Sequence, residues 1–203
     1  AIGFKGPPRV LAPRERMEAS ERAAVLQRVR ADGQELRHLP EECRRSRAVV
    51  LAAVRASGTA LAHASAELRA DRELVLEAVF FDGLALASAS EALRADREVV
   101  LAAVRSHGLA LHHAAPALHD DREIVRAAVR SHGLALHFAS EELQADRCTV
   151  LLAVRAHGLA VLYASRELQE DPEVLQAAAK TSIGGLMVPR TSDRVVRFST
   201  PDS

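Results

Sequence analysis

A repeat with a period of 25 residues runs through most of this chain and limits the folds that are open to it. Self-similarity at a fixed period is typical of solenoids, in which each unit packs mainly on its neighbours. The sequence predicts six full units over 21–170 and a partial capping unit over 171–180. Residues 1–20 and 181–203 contain Gly and Pro and are predicted to be terminal arms. The units begin at Glu21, Ser46, Asp71, Asp96, Asp121, Asp146 and Asp171.

Each unit has the pattern of one helix followed by one or two short helical turns. We number the columns of the repeat from the first residue of a unit. Column one suits a helix N-cap, and columns five, eight and nine are mostly apolar, at the spacing of one helix face. Column thirteen is Gly, which we interpret as a left-handed residue that ends a helix of about 11 residues. The predicted fold is an all-α, right-handed α-solenoid of six units, with caps on the short turns at Ser65, Ser90, Ser140 and Ser165.

The core of this solenoid is predicted to be aliphatic. Hydrophobic residues make up 48% of the chain, but it has no Trp, one Tyr and five Phe. Ala, Leu and Val must therefore fill the interior. The predicted core residues are Val50, Val54, Leu61, Val75, Val79, Leu86, Val100, Val104, Leu111, Val125, Val129, Leu136, Val150 and Val154.

One unit reads D-R-E-V-V-L-A-A-V-R-S-H-G-L-A-L-H-H-A, and a neighbouring unit contains S-E-E-L-Q-A-D. Over about residues 21–180 this pattern resembles the tandem repeats of the domain-of-unknown-function family four-one-one-six. The resemblance implies a helical repeat protein and supplies no catalytic residues. It also implies an algal or other unicellular eukaryotic setting, in which such repeats are common.

Composition and motifs argue against several functional classes. The chain has 27 basic and 27 acidic residues, whereas a duplex-binding domain is usually strongly basic. Cys43 and Cys148 are too few for a disulfide scaffold, and charged residues or His interrupt every apolar run that could span a membrane. Nucleophile-elbow, phosphate-loop and dinucleotide motifs are absent from the sequence. We therefore expect neither an enzyme nor a cofactor.

Departures from the repeat on outward-facing columns are the candidate partner contacts. Phe80 and Phe81 replace the usual Arg-Ser pair, and Cys148 and Leu152 replace Glu and a small residue. Bulky apolar groups on a solvated face indicate a contact, although local packing is the alternative explanation. Column eighteen holds rings in five of six units, interpreted as a ladder that stacks between units, with a binding groove at its Phe138–Tyr163 end as the alternative. The candidates are Phe80, Phe81, Phe138, Tyr163, Cys148 and Leu152.

Column ten forms a basic stripe that offers an alternative function. Its members are Arg30, Arg55, Arg105, Arg130, Arg155 and Lys180. Helical RNA-binding repeats use basic side chains to follow phosphates. Basic residues also suit a helix C-terminus, and Glu at column three lies two turns away, so a solvated face explains the stripe as well. Because net charge is zero and aromatic residues are few, we expect no nucleic-acid partner and keep RNA binding as the alternative.

Histidines at columns twelve and seventeen are a weak candidate for a metal site. Stacked helices lie about 8–10 Å apart, whereas each zinc ligand lies about 2 Å from its metal. HxxxH and CxxC spacings are absent from the sequence. We expect structural histidines and no bound metal. The four candidate ligands are His107, His112, His132 and His137.

The leading hypothesis is a non-enzymatic scaffold that binds other proteins. A regular solenoid offers an extended surface, and the arms and the Phe80–Phe81 pair offer distinctive contacts. We expect a peripheral subunit of a multisubunit complex, soluble, intracellular and without a direct membrane span. The algal resemblance and a first residue other than Met point to an organelle such as a plastid, after presequence removal, and to an organellar or photosynthetic complex.

Overall fold

The computed structural model describes residues 13–181, with side chains described from residue 20 onward. Over this range the chain is built from helices and contains no strand. A long helix, a 3-10 helix and a short helix follow one another, and this series recurs at intervals of 25 residues. The all-α repeat fold is therefore confirmed, while the handedness of the solenoid stays a prediction. Residues 1–12 and 182–203 of the predicted arms lie outside the described residues.

The long helices form one layer of the molecule. Column-one Asp side chains accept hydrogen bonds from backbone N–H groups at their first turns, as predicted; Asp96, for example, accepts from Glu98 and Val99. The first helix begins at Pro13, so residues 13–20 are helical although they were assigned to the arm. Numbered in chain order with the short helices, the long helices are α1 (Pro13–Ala31), α3 (Arg47–Ala56), α5 (Arg72–Phe81), α7 (Arg97–Ser106), α8 (Arg122–Ser131), α10 (Arg147–Ala156) and α12 (Pro172–Thr181).

The second half of each unit leads the chain to the next long helix. Its first element is a 3-10 helix that starts at the column-thirteen Gly, over Gly33–His38, Gly58–His63, Gly83–Ser88, Gly108–His113, Gly133–Phe138 and Gly158–Tyr163. A short α-helix then follows in five units: α2 (Glu41–Arg45), α4 (Ala66–Arg69), α6 (Glu91–Arg94), α9 (Glu141–Gln144) and α11 (Arg166–Gln169). In the remaining unit, a 3-10 helix over Pro116–Asp120 takes its place.

Packing between successive units creates a continuous aliphatic core. Each long helix contacts the next, and each Gly-led 3-10 helix contacts the 3-10 helix of the next unit. All of the predicted core residues have 0% exposure, so the predicted core is confirmed. Burial of this apolar surface drives the stacking, since a single unit would leave its inner face in water.

One backbone hydrogen bond recurs between units beside the short helices. The column-twenty N–H donates to the column-twenty-four carbonyl of the preceding unit; the Ser65 N to Arg44 O distance is 3.0 Å, and the Ser140 N to His119 O distance is 2.9 Å. The predicted serine caps do occupy N-cap positions. A side-chain capping hydrogen bond is formed at Ser140, whose Oγ accepts from the Leu143 N–H at 3.4 Å. Ser90 Oγ and Ser165 Oγ are buried without a hydrogen-bond partner, and at both serines the backbone N–H makes the inter-unit bond.

The column-thirteen glycines are required by a close approach and not by their own conformation. The preceding residue is extended, as at His107 with φ −146° and ψ 108°. A Cβ added to Gly108 would lie 2.3 Å from the carbonyl oxygen of Ala128 in the next unit. The left-handed interpretation is therefore wrong, because a positive φ is absent from Gly33, Gly58, Gly83, Gly108 and Gly133.

We expect Gly108→Ala to lower the free energy of unfolding by about 1–3 kcal/mol, because the added methyl can be accommodated only by separating two units. Urea unfolding followed by circular dichroism measures the change. Ser106→Ala is the control: it alters an exposed residue of the same unit to the Ala found at Ala56 and Ala156, and should change stability by less than about 0.5 kcal/mol. Wild-type stability of Gly108→Ala would contradict the close approach.

Candidate functional site

Phe80 and Phe81, the last residues of α5, form an exposed apolar pair. Phe80 is 76% exposed and Phe81 48% exposed, and their rings meet edge to face with centroids 5.5 Å apart. Both therefore lie on the surface, as the sequence predicted. Leu162 is also 51% exposed and was not identified from the sequence. Its column holds Arg, Ala or His in the other units, and that departure was the available signal.

Of the four other predicted partner contacts, one is exposed and three are half-buried. Cys148 is an exposed free thiol on α10. Leu152, Phe138 and Tyr163 are half-buried and pack against the aliphatic core. Local packing accounts for much of the surface of these three side chains, so they add less to an apolar docking surface than Phe80 does.

The rings of column eighteen contact column seventeen of the preceding unit, whereas the sequence predicted that they stack on one another. The His112 and Phe138 centroids are 4.7 Å apart, and so are those of His137 and Tyr163. Each pair joins column seventeen of one unit to column eighteen of the next. Stacking between units is thus present, but it joins two columns, while Phe138 and Tyr163 make no direct ring contact with each other in the described chain.

Column-two arginines form a ladder of ion pairs between successive long helices. In four units the guanidinium reaches both the column-one Asp and the column-three Glu of the next unit. Arg97 Nε lies 2.8 Å from Asp121 Oδ2, and its second nitrogen lies 2.6 Å from Glu123 Oε2. The same arrangement joins Arg47 to Asp71 and Glu73, Arg72 to Asp96 and Glu98, and Arg147 to Asp171 and Glu173. A single arginine side chain therefore binds both the N-cap Asp and the first-turn Glu of the next long helix.

The ladder lowers the pKa of its aspartates. The hydrogen bond from Arg97 lowers the pKa of Asp121, and the backbone N–H groups of Ile124 and Glu123 add to this effect. Arg47 lowers the pKa of Asp71 in the same way. Each of these aspartates is at once a helix cap and the acceptor of an inter-unit ion pair.

The ladder is weakened at the start of α10, where Cys148 stands in place of the column-three Glu. Arg122 there lies 3.6 Å from Asp146 Oδ1. Thr149 Oγ1 donates to Asp146 at 2.5 Å, and this bond is the main cause of the lowered pKa of that carboxyl. The nearby charge of Arg126 also lowers it. Arg126 occupies a column that holds Leu in the other full units.

The column-ten stripe is partly engaged in ion pairs with the next unit, and not with Glu two turns away on its own helix. Arg55 lies 2.7 Å from Glu77, and Arg105 lies 3.8 Å from Glu123. Phe80 interrupts the stripe between them. The remaining members are exposed and make no ion pair within the described residues: Arg30, Arg130, Arg155 and Lys180.

The candidate metal ligands are not brought together. His107 stacks on His132 with centroids 6.1 Å apart, and His112 and His137 contact the rings of column eighteen. Over residues 20–181, no group of three or more His, Cys, Asp or Glu side chains is arranged to hold a metal ion. His119, at column twenty-four, is a different case: its Nε2 lies 3.0 Å from the backbone carbonyl oxygen of Leu111.

The recurring helices and inter-unit contacts define a helical tandem-repeat protein. The family described as Domain of unknown function (DUF4116) matches residues 24–69, 71–119 and 121–169. The chain belongs to this family, and each match spans about two periods of the repeat. Comparisons with curated proteins and with solved structures gave no match. None of the helices described here is long and apolar enough to cross a membrane.

We expect the ion-pair ladder to make stability fall in acid. The aspartate pKa values are lowered by folding, so their contribution is present above the unfolded pKa of about 3.9 and is lost as pH falls through the lowered folded values. Arg97→Gln removes one rung. Urea unfolding of both proteins across this range should show a difference in stability at neutral pH that shrinks in acid. A difference independent of pH would contradict the assignment.

We expect Cys148→Glu to raise the Tm by about 1–3 °C, because the new carboxylate restores the second partner of Arg122. Thermal unfolding at low and high salt measures this, and high salt should reduce the gain. Cys148→Gln is the uncharged control of the same size and should lack the salt-dependent gain. An equal rise for both variants would show that the ion pair is not its cause.

Proposed function

We propose that this protein is a non-enzymatic scaffold that binds another protein through the surface formed by Phe80 and Phe81. The exposed edge-to-face pair is the observation that carries the proposal. The fold does not need it, since the matching residues of the next unit are Arg105 and Ser106 in the same helical positions. Both rings are exposed to water at the end of a helix whose position is fixed by the core. Their apolar surface is therefore buried only when another molecule covers it.

The surroundings of the pair suit a protein contact. Aromatic residues commonly form the centre of an interface, where they are surrounded by a polar rim. Arg55 and Arg105, in the adjacent units, hold the positions that match Phe80. The pair is therefore an apolar centre between charged neighbours, displayed on a helix whose opposite face is fixed in the core.

A peripheral place in a larger assembly extends this proposal. A repeat protein can contact a complex along one face while its core stays independent of the partner. The organellar or photosynthetic identity of that complex, and the plastid location, are supported by the algal resemblance of the repeats. RNA binding through column ten remains the alternative function. The exposed cations of the stripe favour it, and the interruption at Phe80 weakens it.

We expect the double substitution Phe80→Arg and Phe81→Ser to abolish capture of the partner while leaving the fold intact. It installs the residues that the next unit already carries, so Tm should change by less than about 2 °C. Affinity purification of the full-length chain from its native source, with quantitative identification of bound proteins, measures the loss.

Leu162→His is the matched control, since it removes another exposed apolar side chain by installing the residue of His112 and His137. It should retain the partner. A protein that purifies alone, or a partner retained equally by both variants, would refute the Phe80–Phe81 surface. If the wild-type chain instead captures an RNA, and this binding weakens as salt is added, the result would favour RNA binding through column ten.

A further inference from the structure

Three arginines form a row along one face of α8, which we call the α8 row. Arg122, Arg126 and Arg130 are spaced by four residues, so they follow one another at intervals of about 6 Å along the helix axis. Column six holds Leu in the other full units, so three arginines occupy columns two, six and ten in α8 alone. The row is accessible from outside, since the Arg122 side chain is 61% exposed, Arg130 is exposed and Arg126 is half-buried.

The helix that faces the α8 row offers it little negative charge. α8 packs against α10, whose N-cap is Asp146. Arg122 lies 3.6 Å from Asp146 Oδ1, and the charge of Arg126 lowers the pKa of the same carboxyl. Arg130 makes no ion pair within residues 20–181. Three cations therefore share one carboxylate, which also accepts a hydrogen bond from Thr149.

The other interfaces between long helices, from α3 onward, are better balanced. Columns two, six and ten of one helix face columns one, three and seven of the next. At these columns, cations and carboxylates number two and three between α3 and α5, and one and two between α5 and α7. They number two and two between α7 and α8 and between α10 and α12, but three and one between α8 and α10. Within this range, the excess of positive charge is confined to the α8–α10 interface.

The residues that cause this imbalance also add apolar surface. Cys148 is exposed where the three preceding units carry Glu, and Leu152 is half-buried at a column that is mostly Ala. One unit earlier the column-three Glu serves two arginines: Glu123 lies 2.6 Å from Arg97 and 3.8 Å from Arg105. Loss of that Glu leaves the last arginine of the α8 row without a carboxylate. Arginine beside apolar side chains is typical of the centre of a protein interface.

A helix with carboxylates at every fourth position fits the α8 row. The long helices of this chain already contact one another in this way, since Arg55 lies 2.7 Å from Glu77, and Arg97 lies 2.6 Å from Glu123. In a helix, such carboxylates recur at about 6 Å, which is the spacing of the arginines. Packed helices lie about 8–10 Å apart, within the reach of an Arg–Glu pair. A helix laid along the row can therefore offer one carboxylate to each arginine.

Single-stranded RNA fits the α8 row less well. RNA binding combines a basic groove that follows several nucleotides with rings on which bases stack. The row spans about 12 Å, and the interfaces from α3 to α7 hold more carboxylates than cations. Cys148 and Leu152 provide no ring beside it. His132, beyond the end of α8, already contacts the rings of His107 and His157, with centroids 6.1 and 6.3 Å away. The row therefore favours an acidic helix over RNA.

We infer that the α8 row, together with Cys148 and Leu152, is a docking surface for a partner-protein helix that carries carboxylates at every fourth position. The surface lies on α8 and α10, whereas Phe80 and Phe81 end α5, two units before α8. This inference goes beyond the proposed function and does not depend on it, because the acidic helix is recognised without either ring.

The test measures the fluorescence anisotropy of a labelled, Ala-based peptide of about 18 residues, long enough to form a helix, with Glu at every fourth position. The full chain is titrated into it at low salt. We expect saturable binding that weakens as salt is added. A peptide of the same composition, with its Glu residues scattered around the helix, should bind at least about threefold more weakly, because its carboxylates cannot align with the arginines.

Two variants install residues that other units carry, so both should keep the wild-type circular dichroism spectrum. Arg126→Leu restores the usual column-six residue and should weaken binding by about threefold or more, since one charge pair is lost. Cys148→Glu supplies an internal carboxylate to Arg122 and Arg130. It should weaken binding by about fivefold or more, although it stabilises the fold. Cys148→Gln has the same size without the charge and should weaken binding less than Cys148→Glu does.

Arg30→Gln is the charge-matched control, because Arg30 is also an exposed column-ten arginine without an ion pair in the described part of the chain. It should change affinity by less than about twofold. The Phe80→Arg and Phe81→Ser variant should bind the peptide as the wild type does, which separates this inference from the proposed function. Equal losses in Arg30→Gln and Arg126→Leu, no wild-type binding, equal binding of both peptides, or tighter binding of single-stranded RNA through the same arginines would each overturn the inference.

Discussion

The contact on which the rest of this structure depends is the approach of the column-thirteen glycine to the carbonyl of the next long helix. At Gly108 a single added carbon would lie 2.3 Å from Ala128 O, so neighbouring units can pack this closely only when a side chain is absent. Close packing in turn brings the aliphatic faces of neighbouring units together. It also places the ends of neighbouring helices near enough for side chains to bridge them.

Two further interactions use that short separation. The backbone bond between columns twenty and twenty-four joins the short helices, and the column-two arginines join the long ones. Exposed ion pairs contribute little individually, but here each arginine also holds the Asp that caps the next helix. Units are thus joined by apolar burial inside and by polar contacts at both edges, which leaves the outermost columns free to vary.

Much of the fold was predictable because the same constraint is repeated in every unit. The buried Val and Leu columns, the Asp caps and the exposure of Phe80 and Phe81 all followed from comparing units. The glycine conformation was predicted wrongly, since an isolated helix end explains a Gly by its own φ, whereas here the neighbouring unit excludes the side chain. The partners of the arginines were missed for the same reason: they lie 24 to 26 residues away.

By itself, the sequence determined the helical class, the repeat and the identity of the core, because periodic burial of apolar side chains leaves a direct record in the residue pattern. The tertiary structure alone decided which charges are engaged and which are free. Arg97 and Arg94 look alike in the sequence, yet one clamps the next helix and the other has a buried, unpartnered Nε. That distinction depends on distances between units, which no spacing along a single chain specifies.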